Sequence, residues 1–155
     1  MKDTNALNKV AEFHSTFKHP IIDAPAIPSP QRCDLRVALL AEELEELQQA
    51  IKDNDIVEVA DALCDLQYVL AGAILEFGLG EKFADLFNEV HRSNMSKACK
   101  TIDEAEATIA HYKAKSDVDC HYKEIDGLYL VYRTADNKTL KSVNYSAAEL
   151  KAVLD

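Results

Sequence analysis

Two acidic pairs hold the chemistry that this sequence can do. Glu43 and Glu46 stand three apart in AEELEEL, and Glu58 and Asp61 stand three apart in VEVADAL, with Asp65 one turn further on. Residues three or four apart share a helix face, so each pair presents two carboxylates to one side. If both segments are helices and pack antiparallel, the pairs converge. Four or five carboxylates around one point do not all stay ionised without cations. An all-oxygen set suits a hard divalent ion that keeps several waters, Mg²⁺ first and Mn²⁺ as a substitute.

The elements that must position these acids follow from hydrophobic periodicity. Residues 33–52 read as one helix, with Leu40, Leu44, Leu47 and Ile51 as its apolar line. Glu43 borders that line, Glu46 lies further round and Glu42 is nearly opposite, which ranks Glu43 and Glu46 above Glu42 and Glu45 as ligands. KDND is the turn. Residues 55–77 form a second helix that is apolar nearly all round, with Glu58, Asp61, Asp65 and Glu76 on one strip. Such a helix is normally buried, and burying unpaired carboxylates is costly. Simpler readings compete: Asp55 with Glu58 has capping-box spacing, and the glutamates at 42–46 resemble a solvated face. Neither accounts for Asp61 and Asp65 on one face of an apolar helix, so the metal reading is preferred.

The whole chain narrows the function further. Its 155 residues suffice for a sizeable core. The formal net charge of −10 opposes binding to nucleic acid, which needs a basic face. It would also repel a polyphosphate unless a metal and local Lys or Arg offset it. No run approaches the ~18–20 apolar residues of a membrane span. MKDTNALNKV has no apolar signal core, so a cytoplasmic location is expected. Cys33, Cys64, Cys99 and Cys120 lack CxxC spacing, which argues against zinc or a disulfide framework.

Along the chain, residues 4–18 form a helix with Leu7, Val10, Ala11, His14 and Phe17 as its stripe. HPIIDAPAIPSPQ (19–31) holds all four prolines and reads as a stiff extended connector, a spacer or a wall over a nucleotide base beside Phe13 and Phe17. FGLG ends the long apolar helix, and a fourth helix spans about 81–95. Its end, HRSNMSK, gathers Arg92, Asn94 and Lys97, types suited to phosphate or base contacts and equally to a basic helix C-terminus. Thr101 and Glu104 open a helix to about Lys115. Residues 121–145 then read as an antiparallel ribbon of two or three strands, turning at Asp126-Gly127 and again at 135–138. Ser146 and Glu149 should cap a last short helix. The expected fold is mainly α: a helical bundle at 1–115, with a small β-ribbon and helix at 116–155 packed on it.

At this point the pattern resembles a known family. Glu43-x-x-Glu46 followed by Glu58-x-x-Asp61 is similar to the metal signature of the all-α nucleoside triphosphate pyrophosphohydrolases, the MazG-like superfamily. The similarity extends to VAEFHSTF (10–17), the proline connector, Arg36 ahead of AEELEEL, DALCDLQYVLAGAILEFG and HRSNMSK. The resemblance implies a helical fold that forms homodimers or homotetramers. It implies Mg²⁺-dependent cleavage of a nucleotide between its α and β phosphates, giving a monophosphate and pyrophosphate. It assigns the metal to Glu43, Glu46, Glu58 and Asp61, and substrate contacts to Asn94 and Lys97, with Arg92 and Arg36 as further candidates. Asp65, beside the ligands, joins the substrate-binding group. Many members lack the ribbon at 116–155.

Chemically, the metal would neutralise and polarise the polyphosphate, Lys97 and Arg92 would stabilise the leaving pyrophosphate, and Glu46 or Glu43 would orient the attacking water or take its proton. Two alternatives stand beside this reading. One is phosphoribosyl-ATP pyrophosphohydrolase, which shares the fold and cleaves the same bond in a histidine precursor. The other is a non-catalytic acidic helical dimer that serves as an interaction module.

Overall fold

The computed structural model describes residues 2–155, which form two compact units divided between Phe83 and Ala84. Among the described residues of the first unit are three helices, α1 (Ala6–Phe17), α2 (Pro30–Asp53) and α3 (Ile56–Glu76). The second holds α4 (Phe83–Met95, beginning at the division), α5 (Ile102–Ser116), strands β1 (Cys120–Ile125) and β2 (Leu128–Arg133), and α6 (Leu150–Leu154). The sequence reading split the chain after 115; by packing, α5 goes with the ribbon, because Ala105, Ile109 and Tyr112 close one core with Val131, Leu140 and Cys99.

In the first unit α2 and α3 form a helical hairpin joined by two residues. Asn54 takes the left-handed conformation at φ 55°, and its N–H bonds the Ala50 and Ile51 carbonyls. Asp55 caps α3, its side chain accepting from the N–H groups of Val57 at 2.9 Å and Glu58 at 3.2 Å. So short a turn forces antiparallel packing, which sets Glu43 and Glu46 opposite the stretch around Asp61 and Asp65. The connector holds no helix, as its prolines require, but α2 starts earlier, because Pro30 sits in the first helical turn where its missing N–H costs nothing. The connector is tied to the end of α3 by Ile22 N–H to the Leu75 carbonyl and Ala26 N–H to the Phe77 carbonyl, both 3.1 Å. Gly78 has φ +68°, and a Cβ there would stand 2.0 Å from the Ala24 carbonyl oxygen, so only glycine lets the connector pass.

Two expectations about α3 are corrected. Its C-terminal half is buried against α1 through Val10, Ala71 and Leu75, whereas in its N-terminal half Ile56, Val57 and Leu63 are exposed. Glu76 shares a helical angle with the other acids but lies about 27 Å along the axis from Glu58. It is fully buried and takes Arg32 and Arg36 as ion-pair partners.

In the second unit, Asp126 and Gly127 (φ 50° and 77°) make the two-residue turn of the β1–β2 hairpin, in the register Ile125 opposite Leu128. No third strand forms among the described residues; Cys99 and Thr139 make only single bridges to β2. Ser146 does not cap α6. Its hydroxyl accepts from Arg92 at 3.0 Å and its N–H donates to Ser96 Oγ at 3.0 Å, while Glu149 N–H donates to Glu89.

Candidate active site

The acids of α2 and α3 lie together in the first unit. A cleft of about 320 Å³ at the hairpin end is lined by Glu46, Asp53, Asp55, Glu58 and Asp61, with Gln49, Ala50 and Ala62. Glu43 lies deeper. Its Oε2 is buried and has no hydrogen-bond partner. Burial raises its pKa, and the negative charges of Asp65, Glu46, Glu42 and Asp61 raise it further. Glu46 and Asp61 therefore belong both to the cleft and to the group around Glu43, as the antiparallel hairpin requires. The capping-box reading of Glu58 is only half met: Asp55 N–H goes to the Ala50 carbonyl at 3.0 Å, so the Glu58 carboxylate is not used to close the box.

The donor set is carboxylate throughout, the chemistry of a hard oxygen-seeking cation. Glu43 adds a buried oxygen with no partner, which a cation would satisfy. As the side chains stand, no three His, Cys, Asp or Glu residues are grouped tightly enough to chelate an ion, among the described residues. The residues fit a cation in type and in shared location.

One turn further along the same two helices is a second cavity, of about 230 Å³. It is lined by Phe13, His14 and His19, by Arg32, Arg36 and Leu39 of α2, and by Tyr68 of α3. Leu39 precedes Glu43 by about 6 Å along the axis and Tyr68 follows Asp65 by about 4.5 Å. Phe13 stacks on His19 (5.7 Å between centroids, 15° between planes) and meets Tyr68 edge-on at 5.6 Å. Arg36, only 7 % exposed, bonds Glu76 and approaches His14 Nε2 at 3.3 Å, yet its Nε is buried and unpaired. His14 Nδ1 lies 2.8 Å from the Pro20 carbonyl. Since both neighbouring groups fix its tautomer, Nδ1 donates and Nε2 accepts. Burial lowers the His14 pKa despite the Pro20 bond, which pulls the other way, and the Arg36 charge lowers it further. Burial pushes the Glu76 carboxyl up, but the bonds from Arg32 and Arg36 outweigh it and hold its pKa below the ordinary value.

Sequence reasoning named Arg36 but missed Arg32, His19, Tyr68 and the role of Glu76. The signal was available: Arg32 and Arg36 are four apart on one face, and Glu76 interrupts the apolar run AGAILEFG.

The remaining motif residues lie in the second unit. Lys97 Nζ donates to Asn94 Oδ1 at 2.7 Å. Arg92 is held by Glu89 at 2.8 Å, by Ser146 Oγ and by the Ala147 carbonyl, so its guanidinium ties the C-terminal segment to α4.

Comparison with known proteins agrees with this geometry. The chain is 24 % identical to an uncharacterised protein of Acanthamoeba polyphaga mimivirus, over 94 % of each chain. The model of the phosphoribosyl-ATP pyrophosphohydrolase family matches residues 10–94, a span that begins within α1 and includes α2, α3 and every acid of the cleft. The chain belongs to the phosphoribosyl-ATP pyrophosphohydrolase family, within the MazG-like all-α superfamily, a membership that supports a nucleotide pyrophosphohydrolase type of activity.

Proposed function

We propose that this protein is a Mg²⁺-dependent cytoplasmic nucleotide pyrophosphohydrolase. It cleaves the α–β phosphate bond of a ribo- or deoxyribonucleoside triphosphate to give the monophosphate and pyrophosphate. The observation that carries the reading is the unpartnered, buried oxygen of Glu43, set among Asp65, Glu46 and Asp61. So many acids are stable together only with a cation, and a triphosphate brings its own when it binds.

Glu43, Glu46, Glu58 and Asp61 would hold the ion. When bound, it supplies charge neutralisation and polarisation of the phosphoryl group. Water attacks the α-phosphorus, the bond from that phosphorus to the α–β bridging oxygen breaks, and pyrophosphate leaves with the electron pair. Glu43, whose pKa is already raised, takes the water's proton, and Glu46 orients the water. Asp65 stands beside Glu43 to hold substrate or water. The base enters the neighbouring cavity, against the rings of Phe13, His19 and Tyr68 that line it, and an acceptor on it meets the unpaired Arg36 Nε. Asn94 and Lys97 are proposed as substrate contacts on their sequence motif alone, while Arg92 is given a structural part.

The test is a panel of standard, deoxy and damaged nucleoside triphosphates and phosphoribosyl-ATP, incubated with Mg²⁺ or Mn²⁺ and followed by ³¹P NMR. Equimolar monophosphate and pyrophosphate support the proposal. Turnover confined to phosphoribosyl-ATP would move it to the histidine precursor. Release of orthophosphate with a diphosphate would refute the bond assignment. No turnover, together with no metal-dependent rise in melting temperature, would leave the interaction module, since an ion that binds only the native state must stabilise it.

A further inference from the structure

The second unit contains a cavity of about 340 Å³ whose lining is basic, opposite in charge to the acidic cleft. It is formed by His111, Tyr112 and Lys115 of α5 and by Lys141, Val143 and Tyr145 of the segment after β2, with buried Ser142 between them. No carboxylate lines it, in a chain of net charge −10. Lys113, Arg92 and Arg133 of the same unit are each paired with acids, whereas Lys115 and Lys141 make no ion pair among the described residues. We propose that this cavity is a binding site for a phosphate-bearing anion, held by the ammonium groups of Lys115 and Lys141 and by the Tyr112 hydroxyl.

Three features make the cavity more than a pair of surface lysines. First, the 141–145 segment is fixed. Lys141 N–H donates to Tyr112 Oη at 3.2 Å, Val143 N–H to Thr108 Oγ1 at 3.1 Å, Asn144 N–H to Ser142 Oγ at 3.0 Å, and Ser142 Oγ to Glu104. Burial would raise the Glu104 pKa, but bonds from Ser142, the Lys100 N–H and Asn144 hold it down, so Glu104 stays an ionised anchor. Second, the Lys141 ammonium is located, 4.3 Å from the centre of the Tyr145 ring, a cation–π contact that limits its wandering. Tyr145 in turn is fixed by a 2.8 Å bond to Ser93 Oγ. Third, Tyr112 Oη accepts the Lys141 N–H, which leaves its own proton to donate to a ligand.

The environment is electropositive. The Tyr145 phenol is lowered from its ordinary pKa, mostly by the Ser93 bond and then, against burial, by the charges of Lys141 and Lys97. Lysine is a compact cation with three donors, and phosphate oxygens are strong charged acceptors. A carboxylate or chloride offers fewer acceptor oxygens to spread over three donors. The rings of His111 and Tyr112, 5.6 Å apart and nearly perpendicular, give the cavity an apolar side on which a ring attached to the phosphate can rest. This site is independent of the acidic cleft, which repels the same anions when no metal is present.

The test is an NMR titration of the full-length protein in EDTA with pyrophosphate, and separately with a nucleoside monophosphate. Saturable shifts at Tyr112, Lys141 and Tyr145 are expected, with affinity weakened by roughly tenfold or more in a Lys115→Ala, Lys141→Ala variant, as the loss of two charge-assisted contacts implies. Tighter binding of the monophosphate would identify a nucleotide as the ligand, and equal binding the phosphate group alone; both support the site. A Lys100→Ala, Lys138→Ala variant removes the same charge outside the cavity and should bind as the wild type does. Absence of saturable shifts at the cavity, or equal weakening in the two variants, would overturn the proposal. Amide spectra of both variants check that the fold is kept, and if the first variant unfolds, Lys115→Gln with Lys141→Gln replaces it.

Discussion

At the residue scale, the proposed chemistry rests on carboxylates that repel one another until something positive arrives. Glu46→Gln or Asp61→Asn should lower pyrophosphate release by at least ~10²-fold, the scale of losing one group that stabilises charge in the transition state. Circular dichroism should show the helices intact, because both side chains are exposed and neither makes a packing contact that the fold needs. Near-normal activity in either variant would contradict the site. Glu43→Gln should act in two opposite ways: it relieves repulsion and so raises the melting temperature of the metal-free protein, and it shrinks the extra stabilisation from Mg²⁺. His14 provides the pH dependence. Its folded pKa lies below ~6.5, so the unfolded chain takes up the proton first, and stability falls as pH drops below about 6.5. In His14→Gln that part of the fall should disappear from melting curves between pH 7 and 5. An unchanged slope would mean that the histidine is not held neutral.

At the element scale, the Arg32–Arg36–Glu76 cluster with His14 clamps α1 and α2 to the buried end of α3, and Gly72 makes room for it. A Cβ at Gly72 would lie 2.6 Å from Arg36 Nη1 and 3.1 Å from His14 Nε2. Gly72→Ala should therefore push the guanidinium aside, costing about 1–3 kcal/mol in chemical denaturation, as overpacking does. Because Arg36 also lines the aromatic cavity, KM for the nucleotide should rise more than kcat falls. The helices themselves were legible in the sequence: the capping aspartate at 55, the glycine after α3, the Asp-Gly hairpin turn and the Thr101 cap all act locally. The acids of the cleft were legible for the same reason, because a two-residue turn leaves the hairpin no other packing. Glu76 was misplaced because helical angle alone ignores distance along the axis. The stacked pair Phe13–His19 was not legible either, since its geometry depends on how the proline connector returns along α3, a tertiary fact with no local signature.

At the scale of the molecule, charge and apolar surface are unevenly spread. Ten of the 17 Lys and Arg residues lie in 84–155, so the acidic excess is concentrated in the unit that holds the acidic cleft, and the cavity proposed to bind anions belongs to the more balanced one. The first unit also exposes Val37 at 68 %, Ile51 at 61 %, Ile56 at 76 %, Val57 at 70 % and Leu63 at 52 %. We propose that these exposed apolar side chains along α2 and α3 form an interaction surface. Burying it is worth roughly 25 cal/mol per Å², which a second copy of the same hairpin can supply by pairing like with like about a two-fold axis. The protein should therefore run as a homodimer or homotetramer, with a light-scattering mass two or four times the 17.2 kDa of the chain at micromolar concentration. Val57→Glu combined with Leu63→Glu should shift that mass to the monomer, since a charge buried in such an interface has no partner. The same variant should lose the concentration dependence of its melting temperature, which linkage to association requires of the wild type. A wild-type mass of one chain, with a melting temperature independent of concentration, would show that the exposed face of α2 and α3 is not covered by another copy.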